Sequence, residues 1–305
     1  MHIRIPIRSG WLSLVCGFVC AAGLSASANA ADDRVTEELV TVGTRTEGRT
    51  VLESPVPVDL FSNDALQSTG QLEVGRMLQT LAPSFNFSSS SISDGTDALR
   101  PATLRGLGPD QTLVLVNGKR RHTSALIHVN TSVGRGTSGT DMNAIPASAI
   151  KKIEVLRDGA AAQYGSDAIA GVINLVLKDY AEGAQLAATY GGFSEGDGES
   201  LVLSYNQGIA IANDGFLNLD VEYRDREPTN RAGLSGQCQY INSCTDIGGG
   251  VFQTMDAREI IFPRQNFRIG DAESEQLSGT LNLAAPLTSS LEVYGFATYS
   301  QRDNT

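Results

Sequence analysis

Basic residues, histidines and long apolar runs are all scarce in this 305-residue sequence, and each scarcity excludes a class of function. Lys and Arg together number 23 against 34 Asp and Glu, and only three histidines are present. Nucleic-acid binding needs clusters of Lys and Arg, so the acidic balance argues against that class of partner. After the first 30 residues, no stretch approaches 18 consecutive apolar residues, which excludes membrane-spanning helices there. A membrane role would have to come from β-strands.

Cysteine is scarce as well, with four residues in the sequence and only two of them after residue 30. These two, Cys238 and Cys244, lie within "CQYINSC" in a Gly-rich region. In an exported protein an even pair of this kind predicts a small loop disulfide. A zinc site would need further His or Cys ligands at suitable spacing, and none lies close by in the sequence.

Signatures of catalysis and of nucleotide binding are absent. The stretch "GSDAIAG" lacks the G-x-S-x-G spacing of a nucleophile elbow, and the sequence has no triad-like grouping or metal-ligand set. The "GLG" at Gly106–Gly108 is only a fragment of a phosphate loop, because the remaining glycine, the lysine and the Ser/Thr are missing. The sequence therefore predicts no enzyme and no bound cofactor.

The first 30 residues have the organisation of a secretory signal. Arg4 and Arg8 precede the apolar run "WLSLVCGFVCAAGL", and "ANA" at Ala28–Ala30 fits the small-x-small cleavage rule. The run is shorter than the roughly 20 residues that a spanning helix requires. Cleavage after Ala30 would remove both arginines and leave 21 basic against 34 acidic side chains, a net charge of −13.

Three regions follow the signal. Residues 31–57 lack a helical period, and Pro55 and Pro57 forbid a helix across "SPVPV", so this region is predicted to be an extended tail. Residues 58–180 are predicted to form a compact module of strands and short helices. In it, "FSNDALQSTGQLEVGRMLQTLAP" supplies one or two helices, with Ser62 as N-cap and Pro83 after the last turn. "TLVLV" is a buried strand and Asn117-Gly118 a tight turn.

Residues 181–305 contain five segments of about ten residues that are separated by Gly, Asp, Asn and Ser. In "FLNLDVEYRD", Leu217, Leu219, Val221 and Tyr223 fall on one face, and the polar residues between them fall on the other. A soluble sandwich strand would have the same alternation. However, the common length, the tyrosines near several segment ends and the alternation of short turns with one long connection favour membrane strands.

Two motifs carry a resemblance to a known family. "LRGLGPDQTLVLVNGKR" is similar to the arginine-glycine strand and "LVLxDG" hairpin of the TonB-dependent outer-membrane receptors, with Asn117 where Asp is more usual. "IPASAIKKIEVLRDGAAAQYGSDAIAGVINLVLK" resembles the family's "IPxxxIExIEVxxGPxSxxYGxxAxGGVINIxTK". Here "RDGA" stands for "RGP", Lys152 for Glu, and Ala170 for Gly. The tail "EELVTVGTR", residues 37–45, resembles a TonB box.

The resemblance implies an α+β plug domain, a small mixed sheet with short helices, followed by antiparallel transmembrane β-barrel strands. A plug fills the bore of a wide barrel, so "IEVLR" and "VINLVLK" would be central plug strands. Gly159, Gly165 and Gly171 would permit the tight path between them, and the alanines would allow a short helix to approach closely. The residues expected to build this scaffold or to contact the barrel are Arg105, Gly106, Glu154, Arg157, Asp158, Gly159, Tyr164, Gly165 and Gly171.

The resemblance also implies three kinds of partner: the periplasmic protein TonB, outer-membrane lipid and a small-molecule ligand of unknown identity. The TonB box would pair its extended backbone with an edge strand of TonB. Its expected contact residues are Glu37, Glu38, Leu39, Val40, Thr41 and Val42. Ligand would meet the plug loops at residues 87–97 and 121–141. His122, His128 and Arg135 are the distinctive residues of the second loop, and we expect the two histidines to be solvated rather than ligands.

The resemblance implies a 22-stranded barrel, whereas about five strands fit in residues 181–305. An unclosed sheet cannot sit in lipid, so the chain is expected to be a fragment, a truncated gene product or one part of a split receptor. The alternative to an uptake receptor is a periplasmic module that engages TonB or a barrel partner without forming a pore.

Overall fold

The computed structural model describes residues 39–40, 42, 49–50, 57–88, 95, 98–129, 132–211, 214–233, 238–240, 243–246, 252–254, 256–262, 268–288 and 290–305. The predicted signal lies outside these residues. The described chain forms a leader strand pair, an inner module (residues 57–178) and a long sheet (residues 184–304). The leader pair consists of β1 (Leu39–Val40) and β2 (Arg49–Thr50). Within the described residues, no helix is both long enough and apolar enough to cross a membrane.

The inner module is built on a five-stranded mixed sheet with the order β3-β8-β9-β6-β7. Its strands are β3 (Val58–Ser62), β6 (Thr112–Val116), β7 (Lys119–Arg120), β8 (Ile150–Leu156) and β9 (Gly171–Leu177). β9 is parallel to β6, and the other pairs are antiparallel. Because β9 lies at the centre of the sheet, both of its faces are covered, which explains its nearly continuous aliphatic sequence. The predicted central strands are confirmed.

Two short helices cover one face of this sheet. They are α1 (Asn63–Ser68) and α2 (Val74–Leu81), in the stretch predicted to be helical. The Ser62 hydroxyl accepts a hydrogen bond from the Ala65 N–H at 3.3 Å, as expected of an N-cap. Met77 and Leu78 point into the core, where they join a two-stranded ribbon of β4 (Phe85–Phe87) and β5 (Ala102–Leu104).

Small residues line the turn between β8 and β9 on the other face. The turn contains α3 (Ala161–Tyr164), and both Gly165 and Gly171 have positive φ, of 99° and 140°. Gly159 has no positive φ. One expectation is corrected here, because the first two alanines of α3 are exposed, and the buried alanines of the turn are Ala160, Ala168 and Ala170.

The long sheet consists of five antiparallel strands in the order β10-β11-β12-β15-β16. They are β10 (Ala184–Gly191), β11 (Ser200–Ile211), β12 (Gly215–Arg226), β15 (Ser274–Thr288) and β16 (Leu291–Asn304). All five predicted segments are therefore strands. Four of them have 12 to 15 residues rather than about ten, because the pairing continues past the apolar stretch into polar residues at the ends.

The connections between these strands differ in length at the two ends of the sheet. At one end, the short-turn end, consecutive strands are separated by only the residues numbered 212–214 and 289–290. The other end, the long-connection end, carries residues 192–199 and residues 227–273. The longer connection holds β13 (Cys244–Asp246), β14 (Phe252–Thr254) and α4 (Ala257–Ile261). The expected disulfide joins Cys238 to Cys244 there.

Candidate functional site

The candidate site is the interface between the inner module and the long sheet, and its first feature is the polarity of the sheet. In β12, Asn218, Asp220, Glu222 and Arg224 are buried, whereas Val221 on the opposite face is 43% exposed. β15 repeats this pattern with a buried row of polar residues: Ser274, Gln276, Ser278, Thr280 and Asn282. The sheet thus turns its polar face toward the inner module and its apolar face outward, which is the reverse of a soluble sandwich.

At the middle of β12, a hydroxyl of the inner module bridges two carboxylates of the sheet. Ser148 Oγ lies 2.7 Å from Asp220 Oδ1 and 3.2 Å from Glu222 Oε2. Asn206 of β11 donates to Asp220 Oδ2 at 3.1 Å, and Arg224 donates to Glu222 Oε1 at 2.7 Å. Each buried carboxylate therefore has hydrogen-bond donors, which offset part of the cost of burying its charge.

Near the short-turn end, Asn117 of the predicted tight turn makes a second set of contacts. Its Nδ2 donates to Asn282 Oδ1 at 3.0 Å, and its Oδ1 accepts from the Leu177 N–H at 2.8 Å. Asn282 in turn donates to the Lys178 carbonyl at 2.9 Å. An amide at position 117 acts as donor and acceptor at once, which the carboxylate of the more usual Asp cannot do. The sequence pattern indicated a turn here and missed this contact.

Near the long-connection end, Glu73 lies at the centre of a cluster of ionic contacts. Its carboxylate accepts from Arg100 of the inner module at 3.4 Å, from Arg226 of β12, and from Asn143 Nδ2 at 3.1 Å. Arg100 also contacts Asp271 of the long connection. Burial raises the pKa of Glu73, but the nearby arginines, Arg100 and Arg226 foremost, outweigh burial and hold that pKa below its ordinary value.

Arg302 extends this cluster to the last strand. It lies 3.0 Å from Asp141 Oδ2, donates to the Ala98 carbonyl at 2.9 Å and donates to Gln276 Oε1 at 2.8 Å. Arg302 of β16 therefore joins β15 and two loops of the inner module at the long-connection end. Sequence reasoning missed Glu73, Arg100, Arg226 and Arg302. The available signal was the alternation of polar residues along β12 and β15. No local pattern around Glu73 indicates that its carboxylate contacts the long sheet.

The residues expected to form plug scaffold or barrel contacts do not converge on this interface. Arg157 pairs with Asp59 at 2.7 Å, and Arg105 donates to the Arg157 carbonyl at 3.3 Å. Glu154 is buried inside the module, where it bonds to Asn174 at 3.1 Å and pairs with Lys152 at 3.2 Å. Barrel contacts of the two arginines therefore stay a prediction.

The remaining scaffold residues are local. The carboxylate of Asp158 accepts from the Gly159 N–H at 2.8 Å. Gly106 has a φ of 72° and donates to Asn86 Oδ1 at 3.2 Å. The Tyr164 carbonyl accepts from Arg120, whose side chain also pairs with Asp167. These contacts hold the turns of the module in place and do not reach the long sheet.

The segment predicted to bind TonB is only partly described. Leu39–Val40 forms strand β1, antiparallel to β2 (Arg49–Thr50). Val42 is 1% exposed and packs in the cluster beneath the module's sheet, with Val58, Leu113 and Leu156 among its neighbours. Glu37, Glu38 and Thr41 lie outside the described residues.

The distinctive residues of the second loop occupy different environments. His122 and Arg135 are exposed, whereas His128 is only 1% exposed. The expectation of a solvated His128 is therefore wrong. The main-chain N–H of His128 donates to the Thr137 carbonyl at 2.8 Å, so this residue belongs to the interior of a folded loop. Burial lowers the pKa of the His128 imidazole.

The disulfide lies against a buried carboxylate. Glu259 of α4 accepts from the main-chain N–H groups of Gln239 and Tyr240, each at 2.7 Å, and from the Ser243 hydroxyl at 2.5 Å. A carboxylate oxygen of Glu259 lies within 4.8 Å of both sulfurs, so the Cys238–Cys244 bridge and Glu259 hold the same turn. The long connection has a defined fold in this part.

Comparisons with known proteins match this chain to outer-membrane receptors of one family. Residues 50–172 match the model of the TonB-dependent receptor plug domain. The chain is 41% identical over 96 residues to the probable TonB-dependent siderophore receptor PirA of Acinetobacter baumannii, covering 32% of this chain and 13% of that protein. It is 29% identical over 181 residues to the ferric enterobactin receptor PirA of Pseudomonas aeruginosa, covering 56% of this chain and 24% of that protein.

Among solved structures, the ferric enterobactin receptor PfeA of Pseudomonas aeruginosa superimposes with a TM-score of 0.61 at 20% identity. The match covers 83% of this chain and 34% of that chain, and at this identity it establishes the fold alone. The chain spans a quarter or less of the length of these two curated relatives. The match includes both the inner module and strands of the long sheet, since the module alone is smaller than the covered share.

Proposed function

We propose that this chain, which carries the plug domain of a TonB-dependent receptor and the barrel strands that follow it, serves the energised uptake of a scarce ligand across the outer membrane. From here on, the inner module is called the plug. The proposal concerns the whole receptor, of which these residues form the plug and part of the wall.

The observation that carries the proposal is the reversed polarity of the long sheet. Its apolar face carries exposed side chains such as Leu203, Val221 and Val293. Its polar face is bonded to the plug through Ser148, Asn117 and Glu73. Such a sheet fits a wall with lipid on one side and a filled, hydrated lumen on the other. A periplasmic module without a barrel would expose the apolar face to water, which disfavours the alternative function.

The two ends of the sheet suggest its orientation. Short turns are expected on the periplasmic side of such barrels and long connections outside the cell. This orientation places the disulfide-bridged connection and the Glu73 cluster on the outer side. It places Asn117 and Lys178 toward the periplasm. Ligand would then arrive near the ionic cluster before reaching the plug.

Energy would enter through the leader. The plug and the long sheet show no motif for nucleotide binding in sequence, so the proposal relies on the inner-membrane proton gradient acting through TonB. Strand addition needs an extended segment with free main-chain donors and acceptors. β1 is already extended, and Val42 fixes the leader to the plug two residues further on. Pulling on the leader would thus act directly on the plug core.

A proline in the leader tests this step. We expect Val40→Pro to abolish uptake and leave ligand binding intact, because proline removes a main-chain donor needed for pairing with TonB. Val40→Thr keeps both the N–H and the branched shape and should transport normally. Equal loss of binding and uptake in Val40→Pro would contradict the assignment.

The ligand class that we propose is a ferric siderophore, because the matched relatives bear the names of siderophore receptors. Haem, cobalamin and oligosaccharide are the other ligand classes implied by the family. The test is uptake of radiolabelled ferric enterobactin by cells that lack their own receptor for it and express the full-length protein. Energy-dependent uptake supports the proposal. Binding or uptake of cobalamin, without uptake of ferric enterobactin, would show that cobalamin is the ligand class instead of a ferric siderophore.

Migration on a gel tests the architecture separately. A closed barrel resists unfolding by detergent until it is heated, so the full-length protein should migrate differently before and after boiling and should fractionate with the outer membrane. If the protein stays in the soluble fraction and migrates identically before and after boiling, the result would support the free periplasmic module instead.

A further inference from the structure

Two kinds of contact join the plug to the wall, and they lie toward opposite ends of the long sheet. The first kind holds the linker (residues 178–183), which leads from β9 into β10. Here Asn218 of β12 donates to the Tyr180 carbonyl at 3.4 Å. The second kind is the cluster of ion pairs in which Arg226 of β12 contacts Glu73. From Asn218 to Arg226 the strand rises about 26 Å at roughly 3.3 Å per residue, so the two attachments are far apart along the wall.

Uncharged groups of the wall hold the linker at the short-turn end. Asn282 of β15 donates to the Lys178 carbonyl at 2.9 Å. The Gly183 carbonyl accepts from the Gly208 N–H at 2.9 Å and from Gln207 Nε2 at 3.1 Å, and both of these donors belong to β11. Three neighbouring wall strands, β11, β12 and β15, therefore bond to this one short segment.

The linker lies directly on the wall at Gly208. A Cβ at this position would lie 2.6 Å from the Tyr180 carbonyl oxygen and 2.8 Å from the Glu182 nitrogen, so glycine is needed for the close approach. The covalent chain adds to this attachment, because β10 begins at Ala184 directly after the linker and pairs with β11. The plug is thus tied to the wall at the short-turn end by uncharged hydrogen bonds and by the chain itself.

At the long-connection end the attachment consists largely of ion pairs between side chains. Glu73 pairs with Arg100 and Arg226, and Arg302 pairs with Asp141 at 3.0 Å. Bringing charges together in a buried contact costs hydration, and this cost offsets much of their attraction. Opening the contact toward water returns that hydration to each charge, so the ionic attachment can open at a smaller net cost than its contacts suggest.

We propose that the plug pivots about the linker, with the uncharged contacts as a hinge that stays closed and the ionic cluster as a latch that opens. The inference rests on the proposed function, because TonB pulling on the leader supplies the force. A rotation of roughly 10° about the hinge displaces the latch end by about 4–5 Å, which is more than a hydrogen bond can stretch. A small rotation is therefore enough to open the latch.

Two reversible bridges in the full-length receptor test this division. Asn117→Cys with Asn282→Cys places a bridge at the hinge end, and Glu73→Cys with Arg226→Cys places one at the latch, each across a contact between plug and wall. A short bis-methanethiosulfonate joins each pair, and uptake of radiolabelled ferric enterobactin is measured on the same cells before and after bridging. The latch bridge should lower uptake at least fivefold and leave ligand binding intact. The hinge bridge should leave both within twofold of the unbridged variant.

Reduction of the latch bridge should restore uptake, which would show that the loss came from the bridge. The wild type receives the same reagents as a control, because Cys238 and Cys244 form a native disulfide that a reductant can break. Uptake that survives the latch bridge, or that is lost equally with the hinge bridge, would overturn the proposal.

Distances between spin labels in the full-length receptor test the pivot without ligand or energy. Asp64→Cys, near Lys178, and Leu291→Cys report on the hinge end, and Gln71→Cys and Asp303→Cys report on the latch end; all four native side chains are exposed. In rising urea below the unfolding range, the latch distance should lengthen and broaden first, while the hinge distance stays constant. A hinge distance that changes first, or together with the latch distance, would overturn the proposal. If the unbridged receptor takes up no ferric enterobactin, the proposed function or its ligand class fails, and the spin-label distances still decide the pivot.

Discussion

Glu73 illustrates how one side chain can tie the plug to the wall. Its side chain is 13% exposed, and it accepts hydrogen bonds from Arg100 of the plug and Arg226 of β12. Arg100 is 3% exposed at its side chain, so it depends on acidic partners for its counter-charge. Breaking a buried pair by removing one partner leaves the other charge uncompensated, which is more costly than losing an exposed ion pair.

At the residue scale we therefore expect Glu73→Gln to weaken the association of the plug with the wall, here called plug seating, by about 3 kcal/mol. The measurement is the urea concentration at which the plug of the full-length receptor becomes sensitive to protease. Glu275→Gln is the matched control, because Glu275 lies at the same end of the sheet and is exposed. Identical urea midpoints for the two variants would refute the role of Glu73.

The pH dependence of plug seating follows from the same group. The folded-state pKa of Glu73 lies below its ordinary value of 4.5, so the stabilisation is complete above pH 4.5. It is lost as the pH falls through the lowered folded-state pKa. Acidification below pH 4.5 should thus lower the urea midpoint of the wild type more than that of Glu73→Gln. Parallel curves for the two proteins would contradict this linkage.

Asn117 is a second residue whose chemistry is specific to its contacts. We expect Asn117→Asp to weaken the seating of the plug by about 1–2 kcal/mol, because the carboxylate cannot donate to Asn282 Oδ1. The φ of 48° is tolerated by both residues, so the turn itself should persist. In an Asn282→Ala background the same substitution should have little effect. An undiminished effect there would show that the contact with Asn282 is unimportant.

At the scale of elements, β12 explains why a membrane sheet and a soluble sheet share one sequence pattern. Both alternate apolar and polar residues with a period of two, and only the surroundings of each face differ. In β12 the plug covers Asn218, Asp220, Glu222 and Arg224, and the leucines and Tyr223 are turned away from it. The decisive property of this strand is which face is covered.

The disulfide-bridged turn is the element whose removal is simplest to interpret. Replacing Cys238 and Cys244 together by Ser should make the connection at residues 227–273 more sensitive to protease on intact cells, because the cross-link limits its unfolded conformations. The hydrogen bonds to Glu259 should preserve part of the fold. Plug seating should remain as in the wild type. Unaltered cleavage of the connection would mean that the hydrogen bonds to Glu259 alone protect it from protease.

At the scale of the whole molecule, the contacts of Arg105 and Arg157 within the plug leave their guanidinium groups partly available to the wall. Arg105 is exposed, and the Arg157 side chain is 45% exposed. We expect Arg105→Ala to increase the leak of a bulky antibiotic through the full-length receptor if this arginine binds the wall. Arg105→Asn tolerates the φ of 57° and separates lost charge from backbone strain.

Arg135→Ala is the control for this experiment, because Arg135 is an exposed arginine of a plug loop. Leak should rise in both Arg105 variants and stay at the wild-type level in the control. If Arg105→Asn leaks no more than the wild type, the arginine serves only the plug scaffold.

The sequence by itself determined the elements of this protein. Ser62, Pro83 and the Asn117-Gly118 turn are local signals, and the aliphatic run of β9 and the alternation in β12 are periodic ones. Local backbone preferences and periodicity act over a few residues, so they can be recognised without knowing what packs nearby. The two motifs around Arg105 and Arg157 resemble a known family, and this resemblance predicted how the elements are arranged in a plug.

Only the tertiary structure decided which residues meet across the plug and the wall. Glu73 and Arg226 are separated by 153 positions and Asn117 and Asn282 by 165, so no local pattern relates them. Burial of His128 and exposure of α3 likewise depend on what packs against them. The polarity of the long sheet was ambiguous in sequence because alternation marks two faces but does not say which one lies against the plug. Packing alone makes that choice.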